Sequence, residues 1–361
     1  MLVHRALLPS LNPFAVNETI NPMPIYRYII RRLLFAVPLV LGITVIAFLI
    51  ANAIPADPIN ANLPQNALGN EELVAAFRAK WGLDKSPVEQ YFIYLGNLLQ
   101  GDMGVSIKTR NPVLEDIQQF LPATMELATF SIIVGLFIGI SFGVISAVWR
   151  NSIVDYLVRF FALIGVSFPV FLLALIALSV FYAQLGWTSG PGRLGFLMRP
   201  PAHVTGWFTI DSLLAGDWDT FQDAVSHLIL PSFVLGSYVS GIIARITRSS
   251  LLEQLGADYI RTARSKGLHE QIVVLRHGLA NALIPVVTMI GLLYGNLLAG
   301  AVLTEAIFAW PGIGRYAFRA STSQDFPAIM GVSMLIALIY VVVNFLVDLL
   351  YFFLDPRIRA S

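Results

Sequence analysis

The sequence predicts an all-α polytopic membrane protein with six transmembrane helices, cytoplasmic N- and C-termini, and an extracytoplasmic helical segment between spans 1 and 2. Two observations carry this expectation. Only 12% of the 361 residues are charged while 57% are hydrophobic, against roughly 25% charge in a soluble chain. Six stretches free of Asp, Glu, Lys and Arg, at 33–56, 127–149, 160–192, 224–244, 277–304 and 326–347, reach the roughly 18 to 20 residues that a spanning helix needs. No other charge-free stretch does.

The chain divides into a cytoplasmic tail at 1–26, a first helix with its extracytoplasmic segment at 27–120, a core of spans 2 to 6 at 121–354, and a cytoplasmic tail at 355–361. The first tail is polar and contains Pro and Asn, and Met23 is an alternative start. Its sequon Asn17-Glu18-Thr19 lies on the wrong side of the membrane for glycosylation. Arg31-Arg32, an apolar run and Ala51-Asn52-Ala53 imitate a signal peptide, but the run exceeds the usual 7 to 15 residues of a signal core. It therefore reads as an uncleaved first span, which Pro38 and Gly42 can bend.

From about 52 to 121 the chain is too polar to span. Leu73, Phe77 and Trp81 recur every four residues and give one apolar helical face. Ser86-Pro87-Val88-Glu89 reads as a capping box with proline at the first helical position. The helix it opens carries Tyr91, Phe92, Leu95 and Leu99, and Asn111-Pro112 starts another in the same way. Such helices could lie on the membrane or form a docking surface, and periodicity does not separate the two. A second external segment, 186–223, contains Trp187, Trp207 and Trp218, best read as interfacial anchors. A third, from Glu305 to Asp325, holds the turn Trp310-Pro311-Gly312-Ile313-Gly314.

Orientation follows from the basic residues. With the N-terminus inside, 14 of the 23 Lys and Arg are cytoplasmic, and five of the other nine lie in the long first external segment, where the positive-inside rule weakens. The spans are poor in pathway chemistry. They hold Ser, Thr, Asn296, Asn344, Gln184 and glycines such as Gly291, Gly295 and Gly300. Glycine mostly lets helices approach closely; Gly295 and Asn296 are the candidate pathway positions.

The absence of cysteine excludes disulfides and thiol chemistry, and the five histidines show no metal-ligand spacing. No Gly-Lys pair occurs, so the chain lacks a phosphate-binding loop. If the protein pumps, its energy must come from another chain through a cytoplasmic contact. The segment 245–280 is the longest cytoplasmic stretch between spans. Within it Gly256 and Gly267 bracket ten residues, Ala257 to Lys266, able to form a short polar helix. A second helical pattern continues through Ile272, Leu275, Leu279 and Leu283 to Pro285.

At this point the chain resembles the permeases of ABC importers, whose cytoplasmic loop carries Glu-Ala-Ala, three residues, Gly, nine residues and I-x-L-P. Aligned on Gly267, the triplet falls on Arg261, Thr262 and Ala263 and the leucine on Leu279, with departures at Arg261, Thr262, His277 and Ala280. The stretches Tyr259 to Leu268 and Arg276 to Pro285 are similar to the permeases of dipeptide, oligopeptide and nickel importers. So, in family order, are Tyr28 to Leu34, Gly82-Leu83-Asp84, Gly101 to Ser106, Phe168 to Phe171, Glu305 to Phe308, Pro311 to Gly314 and Asp355 to Arg359. Pro55-Ala56-Asp57-Pro58 departs from the family's Pro-Gly-Asp-Pro.

The resemblance implies a non-enzymatic permease in a bacterial or archaeal plasma membrane. Its partners would be a second related permease, two cytoplasmic ATPases that use ATP and Mg, an extracytoplasmic solute-binding protein and lipid, with no nucleic acid and no cofactor on this chain. The implied ATPase-coupling loop comprises Ala257, Asp258, Tyr259, Arg261, Thr262, Ala263, Arg264, Lys266, Gly267 and Leu268. A di- or oligopeptide is the expected cargo, with nickel complexes and oligosaccharides as alternatives. An intramembrane enzyme would need a convergent catalytic pair, and a channel or gradient-driven carrier would need charged rings or buried carboxylates. Spans without charge disfavour both.

Overall fold

The computed structural model describes residues 25–53, 59 and 69–354. The expected tails, apart from Ile25, Tyr26 and the helical residues before Asp355, lie outside the described residues, as do Met23, the sequon and Pro55-Ala56-Asp57-Pro58.

The described chain is helical, with one isolated β-bridge between Val105 and Pro112. Helix α1 is Ile25–Ala53; α2, Glu71–Trp81, and α3, Pro87–Leu99, follow as a cap. Helix α4, Val113–Val148, is continuous. Helices α5, Ile153–Ser167, and α6, Val170–Gln184, meet at 102°. A short α7, Phe208–Ala215, precedes the long α8, Trp218–Leu255. Helix α9 is Asp258–Ser265; α10, Glu270–Ala282, and Ile284–Gly300 (α11) are set at 51° to each other. The chain closes with α12, Val302–Ile307, α13, Ile313–Thr322, and α14, Phe326–Leu354.

Four of these helices are long and apolar enough to cross a membrane, and there are six such elements if each bent pair counts as one span. The protein is thus an all-α polytopic membrane protein, as its charge-free windows predict. The third window is not a straight rod, however. It breaks at Phe168-Pro169, because Pro169 lacks the amide that would continue the ladder, and its residues 185–192 leave the helix.

The core lies among α4, α8, α11 and α14, where Leu127, Leu235, Val239, Ile243, Val286, Leu293 and Val343 are buried together. Lipid gives little hydrophobic drive to such contacts, so close backbone approach has to supply packing energy. Gly135, Gly139 and Gly143 recur every four residues along α4 and face Val239, Ile243 and Thr247 of α8, where any added Cβ would collide. Helix α1 is peripheral and exposes Leu33, Leu34, Phe35 and Val37. It is held at one end by Arg32 to Asp348 at 2.6 Å. At the other, Thr44 shares a 2.8 Å hydrogen bond with Tyr91.

The cap has the expected start but other buried faces. Ser86 and Glu89 form the reciprocal capping box. Helix α3 packs through Tyr91 and Tyr94 against Phe48 of α1, leaving Phe92 and Leu99 exposed. Helix α2 has no fully buried residue: Leu73 is exposed, and Phe77 and Trp81 are half-covered, with the Trp81 ring beside Gly104. Nor does Asn111 cap its helix. Pro112 occupies the N-cap without a side-chain bond, and the Asn111 amide donates to Asp116 at 3.2 Å instead.

Candidate functional site

Long-range contacts sort the loops to two ends of the bundle. The segments around 101–126, 188–217 and 302–327 converge at the cap end, joined by Ser106 to Asp325, Thr124 to Glu305 and Arg193 to Glu126. The segments 146–159, 245–281 and the start of α10 meet at the opposite end.

Helix α9 is the exposed feature of that opposite end. One side is fixed: Ile260, Ala263 and Val273 are buried together and Leu255 packs on them. The Tyr259 hydroxyl donates to Gln254 at 2.7 Å and accepts from Asn281 at 3.0 Å. Arg264 reaches Glu270 through two hydrogen bonds of 3.1 and 2.7 Å, and that carboxylate raises the already high Arg264 pKa. Gly267 ends the helix at φ +75° with no atom near its absent Cβ, so the left-handed backbone conformation requires glycine there, and crowding does not. What remains outward is a polar strip of Asp258, Arg261, Thr262 and Lys266, followed by Leu268.

The expected coupling residues therefore divide. Ala263, half of Tyr259 and Arg264 anchor the helix, while the strip is free to meet a partner. The following helix also departs from its expected face. Ile272 and Leu275 are exposed, and Val273, Val274, Gly278 and Ala282 are buried. A π-helical turn over Val273–Leu279 shifts the rotation of successive side chains, which a 3.6-residue pattern cannot anticipate.

Beneath α9 a buried charge cluster ties α5 to α8. Asp155 is fully buried and accepts from Arg248 Nε and Nη2, each at 3.0 Å. It also accepts from Ser146 at 2.5 Å and the Asn151 amide at 2.9 Å, and Arg159 lies 3.2 Å away. A bidentate guanidinium fixes distance and angle together, so α5 and α8 are locked near the root of α9.

The cap end holds two further clusters. Glu126 pairs with Arg193 at 2.5 Å and accepts from the Thr209 amide and hydroxyl at 2.9 and 2.7 Å. Arg193 also donates to the Gly206 carbonyl and lies over the rings of Phe208 and Trp310. Burial pulls its pKa below the ordinary value, and Glu126 opposes that shift. Glu305 accepts from Thr124 and from the Arg315 amide at 2.7 and 2.9 Å. The loop after Trp310 crosses this carboxyl so closely that a Cβ on Gly312 would collide with Glu305 and Thr124.

Burial pushes Glu305 up from 4.5 to about 7. A raised folded-state pKa means that the folded protein keeps a proton the unfolded chain gives up. Its contribution is full below pH 4.5, declines as pH rises, and is lost above about 7. Relative to Glu305→Gln, the wild type should lose at most about 3 kcal/mol across that window, read as the pH dependence of thermal unfolding in detergent.

Gly295 and Asn296 do not form a joint site. Gly295 is buried against α14, where an added Cβ would sit 3.5 Å from Val343, and Asn296 is exposed. The buried pairs were not foreseen from the sequence, yet it holds a signal for them. Glu126, Arg193, Glu305, Asp325 and Asp348 are among the charges that border the charge-free windows. Among the described residues no group of three or more acidic or histidine side chains is arranged to hold a metal.

Comparison with known proteins places the chain in a family. Residues 139–360 match the family described as binding-protein-dependent transport system inner membrane component. Residues 25–128 match the corresponding N-terminal family. The chain is 46% identical over 319 residues to a probable D,D-dipeptide transport system permease protein, DdpB, of Escherichia coli K12, covering 88% of this chain and 93% of that one. It is 43% identical over 332 residues to the dipeptide transport system permease protein DppB of Alkalihalophilus pseudofirmus, covering 92% and 99%. A glutathione transport system permease protein, GsiC, of Escherichia coli O6:H1 is 36% identical over 333 residues, covering 92% and 99%.

Proposed function

The chain belongs to the family of binding-protein-dependent transport system inner membrane components, and from that premise we propose that it is the permease of an ATP-driven importer of di- or oligopeptides. The cargo reading rests on similarity to dipeptide permeases along nearly the whole chain. In this account the protein pairs with a second related permease, two ATPases that bind ATP and Mg, and an extracytoplasmic solute-binding protein, all in a bacterial or archaeal plasma membrane. It binds no cofactor of its own.

The observation that carries the mechanism is the split character of α9. Its buried side is fixed to α8 and α10, while Asp258, Arg261, Thr262 and Lys266 face outward. A rigidly rooted helix transmits force where a flexible loop would absorb it. Closure of the ATPase pair pushes the strip, α9 moves with the root of α8, and the Asp155 to Arg248 lock carries that movement into α5. The spans then rock between inward- and outward-facing states, the alternating access of transporters. Asn296, exposed on α11, is our candidate for the pathway face.

The orientation this requires puts α9 and both termini in the cytoplasm and the cap outside. Because the sequence has no cysteine, one introduced Cys is the only thiol in the chain. Arg261→Cys is expected to react with a membrane-impermeant maleimide in inverted vesicles and not in intact cells, and Lys85→Cys the reverse; the opposite pattern refutes the topology. Uptake of labelled L-alanyl-L-alanine by proteoliposomes holding the complete complex tests the cargo, and uptake of a nickel complex or oligosaccharide in its place rejects it.

A further inference from the structure

The cap end contains a cavity of about 490 Å³, lined by Lys108, Phe120, Arg315, Tyr316, Arg319 and Asp325 among others. That size falls within the roughly 300–1,000 Å³ of small-ligand pockets. Three cations meet one carboxylate there, and the carboxylate is spent. Asp325 is fully buried, with one oxygen accepting from the Ser106 hydroxyl at 2.6 Å and the Lys108 amide at 3.0 Å. Its other oxygen accepts from the Ala328 amide. No ion pair among the described residues includes Lys108, Arg315 or Arg319.

The neutral groups are spent as well. The Tyr316 hydroxyl donates to Asp116 at 2.9 Å, and Thr322 and Ser323 donate to carbonyls of their own helix. Arg315 is partly engaged, its Nη1 donating to the Ala309 carbonyl at 2.6 Å, so the donors left over are the charged heads of Lys108 and Arg319. Burial and repulsion from Arg319 lower the Arg315 pKa, and nearby Glu305 opposes that shift. One wall is apolar and aromatic, with Phe120 stacked on Tyr316 at 5.2 Å. The placement also runs against the charge distribution of the chain: the proposed external side has only nine of the 23 basic residues, and three of them converge on this cavity.

We propose that this cavity is a subsite of the permease for the C-terminal carboxylate of the incoming peptide, with Lys108 and Arg319 as its charged donors and Phe120 against the adjoining side chain. The inference rests on the peptide-import reading above. A site of this kind holds the peptide weakly between its release outside and its passage through the spans, and favours peptides with a free carboxylate.

The test uses the complete complex in lipid nanodiscs without the binding protein, labelled by light with L-alanyl-L-photoleucine or its C-terminal amide and mapped by mass spectrometry. Labelling should fall on residues 108–120 and 311–325 and be about tenfold stronger for the free acid, the discrimination expected of about 1.4 kcal/mol. It should be lost in Lys108→Gln/Arg319→Gln and kept in Lys108→Arg/Arg319→Lys. In proteoliposomes with the binding protein, the glutamine pair should raise KM for L-alanyl-L-alanine about tenfold with kcat little changed, as for a lost ground-state contact. Wild-type transport of L-alanyl-L-alanine with labelling elsewhere, equal labelling by the amide, displacement by anionic lipid alone, or an unaltered glutamine pair would overturn the subsite while leaving the permease reading intact. Absence of wild-type peptide transport overturns the cargo reading and the subsite together.

Discussion

Arg193→Met is expected to destabilise the protein by about 3–5 kcal/mol, because it leaves the Glu126 carboxyl group buried without its ion-pair partner. Glu126 is 1% exposed and sits well inside α4. Its second oxygen is held by Thr209, so the carboxylate cannot swing out to water. Arg193 in turn ties the 188–209 segment to α4 through Glu126 and the Gly206 carbonyl, beneath Trp310. Losing it unfastens one segment at the cap end and undercuts a second. Glu126→Gln combined with Arg193→Met removes both charges and should recover most of the loss. Thermal unfolding of the four proteins in detergent gives the coupling directly. A single variant no less stable than the double would remove the pair's structural role.

The second large effect is expected at α9. Arg261→Glu with Lys266→Glu reverses the charge of the outward strip without touching Ile260, Ala263 or Val273. Peptide-stimulated ATP hydrolysis and uptake should fall at least tenfold, about 1.4 kcal/mol of coupling or more, while insertion and thermal stability stay within about 0.5 kcal/mol. Ala263→Trp is a poorer probe, since Ala263 is only 8% exposed and the larger ring would break packing inside the chain. Gly267→Ala should cost about 1 kcal/mol through its left-handed backbone alone. Unaltered uptake in the charge-reversed protein would show that force enters elsewhere.

Much of this was legible in the residues. The charge-free windows found the spanning elements because a charge in the membrane is costly wherever it sits. The Ser86 to Glu89 box and the glycine-bracketed α9 were legible because capping and turn chemistry is local. Three features were not. The break at Pro169 could be suspected, but its 102° depends on what α5 and α6 pack against. The π-helical turn at Val273–Leu279 defeats any fixed period. The ion pairs Glu126 to Arg193 and Asp155 to Arg248 join residues 67 and 93 positions apart, and no local pattern links such partners. The carboxylate-spent cavity is of the same kind, since its three cations look like ordinary surface charge until Asp325 is seen to be occupied.

The claim at the centre of this account is that work enters the permease from ATPases docked on α9. Its most direct test is affinity purification of this chain in mild detergent, with the co-purifying proteins identified by mass and the product assayed for ATP hydrolysis. The account predicts a second permease and one or two ATPases in an active complex, lost together when Arg261 and Lys266 are both changed to Glu. Recovery of this chain alone and inactive toward ATP, under conditions that preserve membrane complexes, would contradict it.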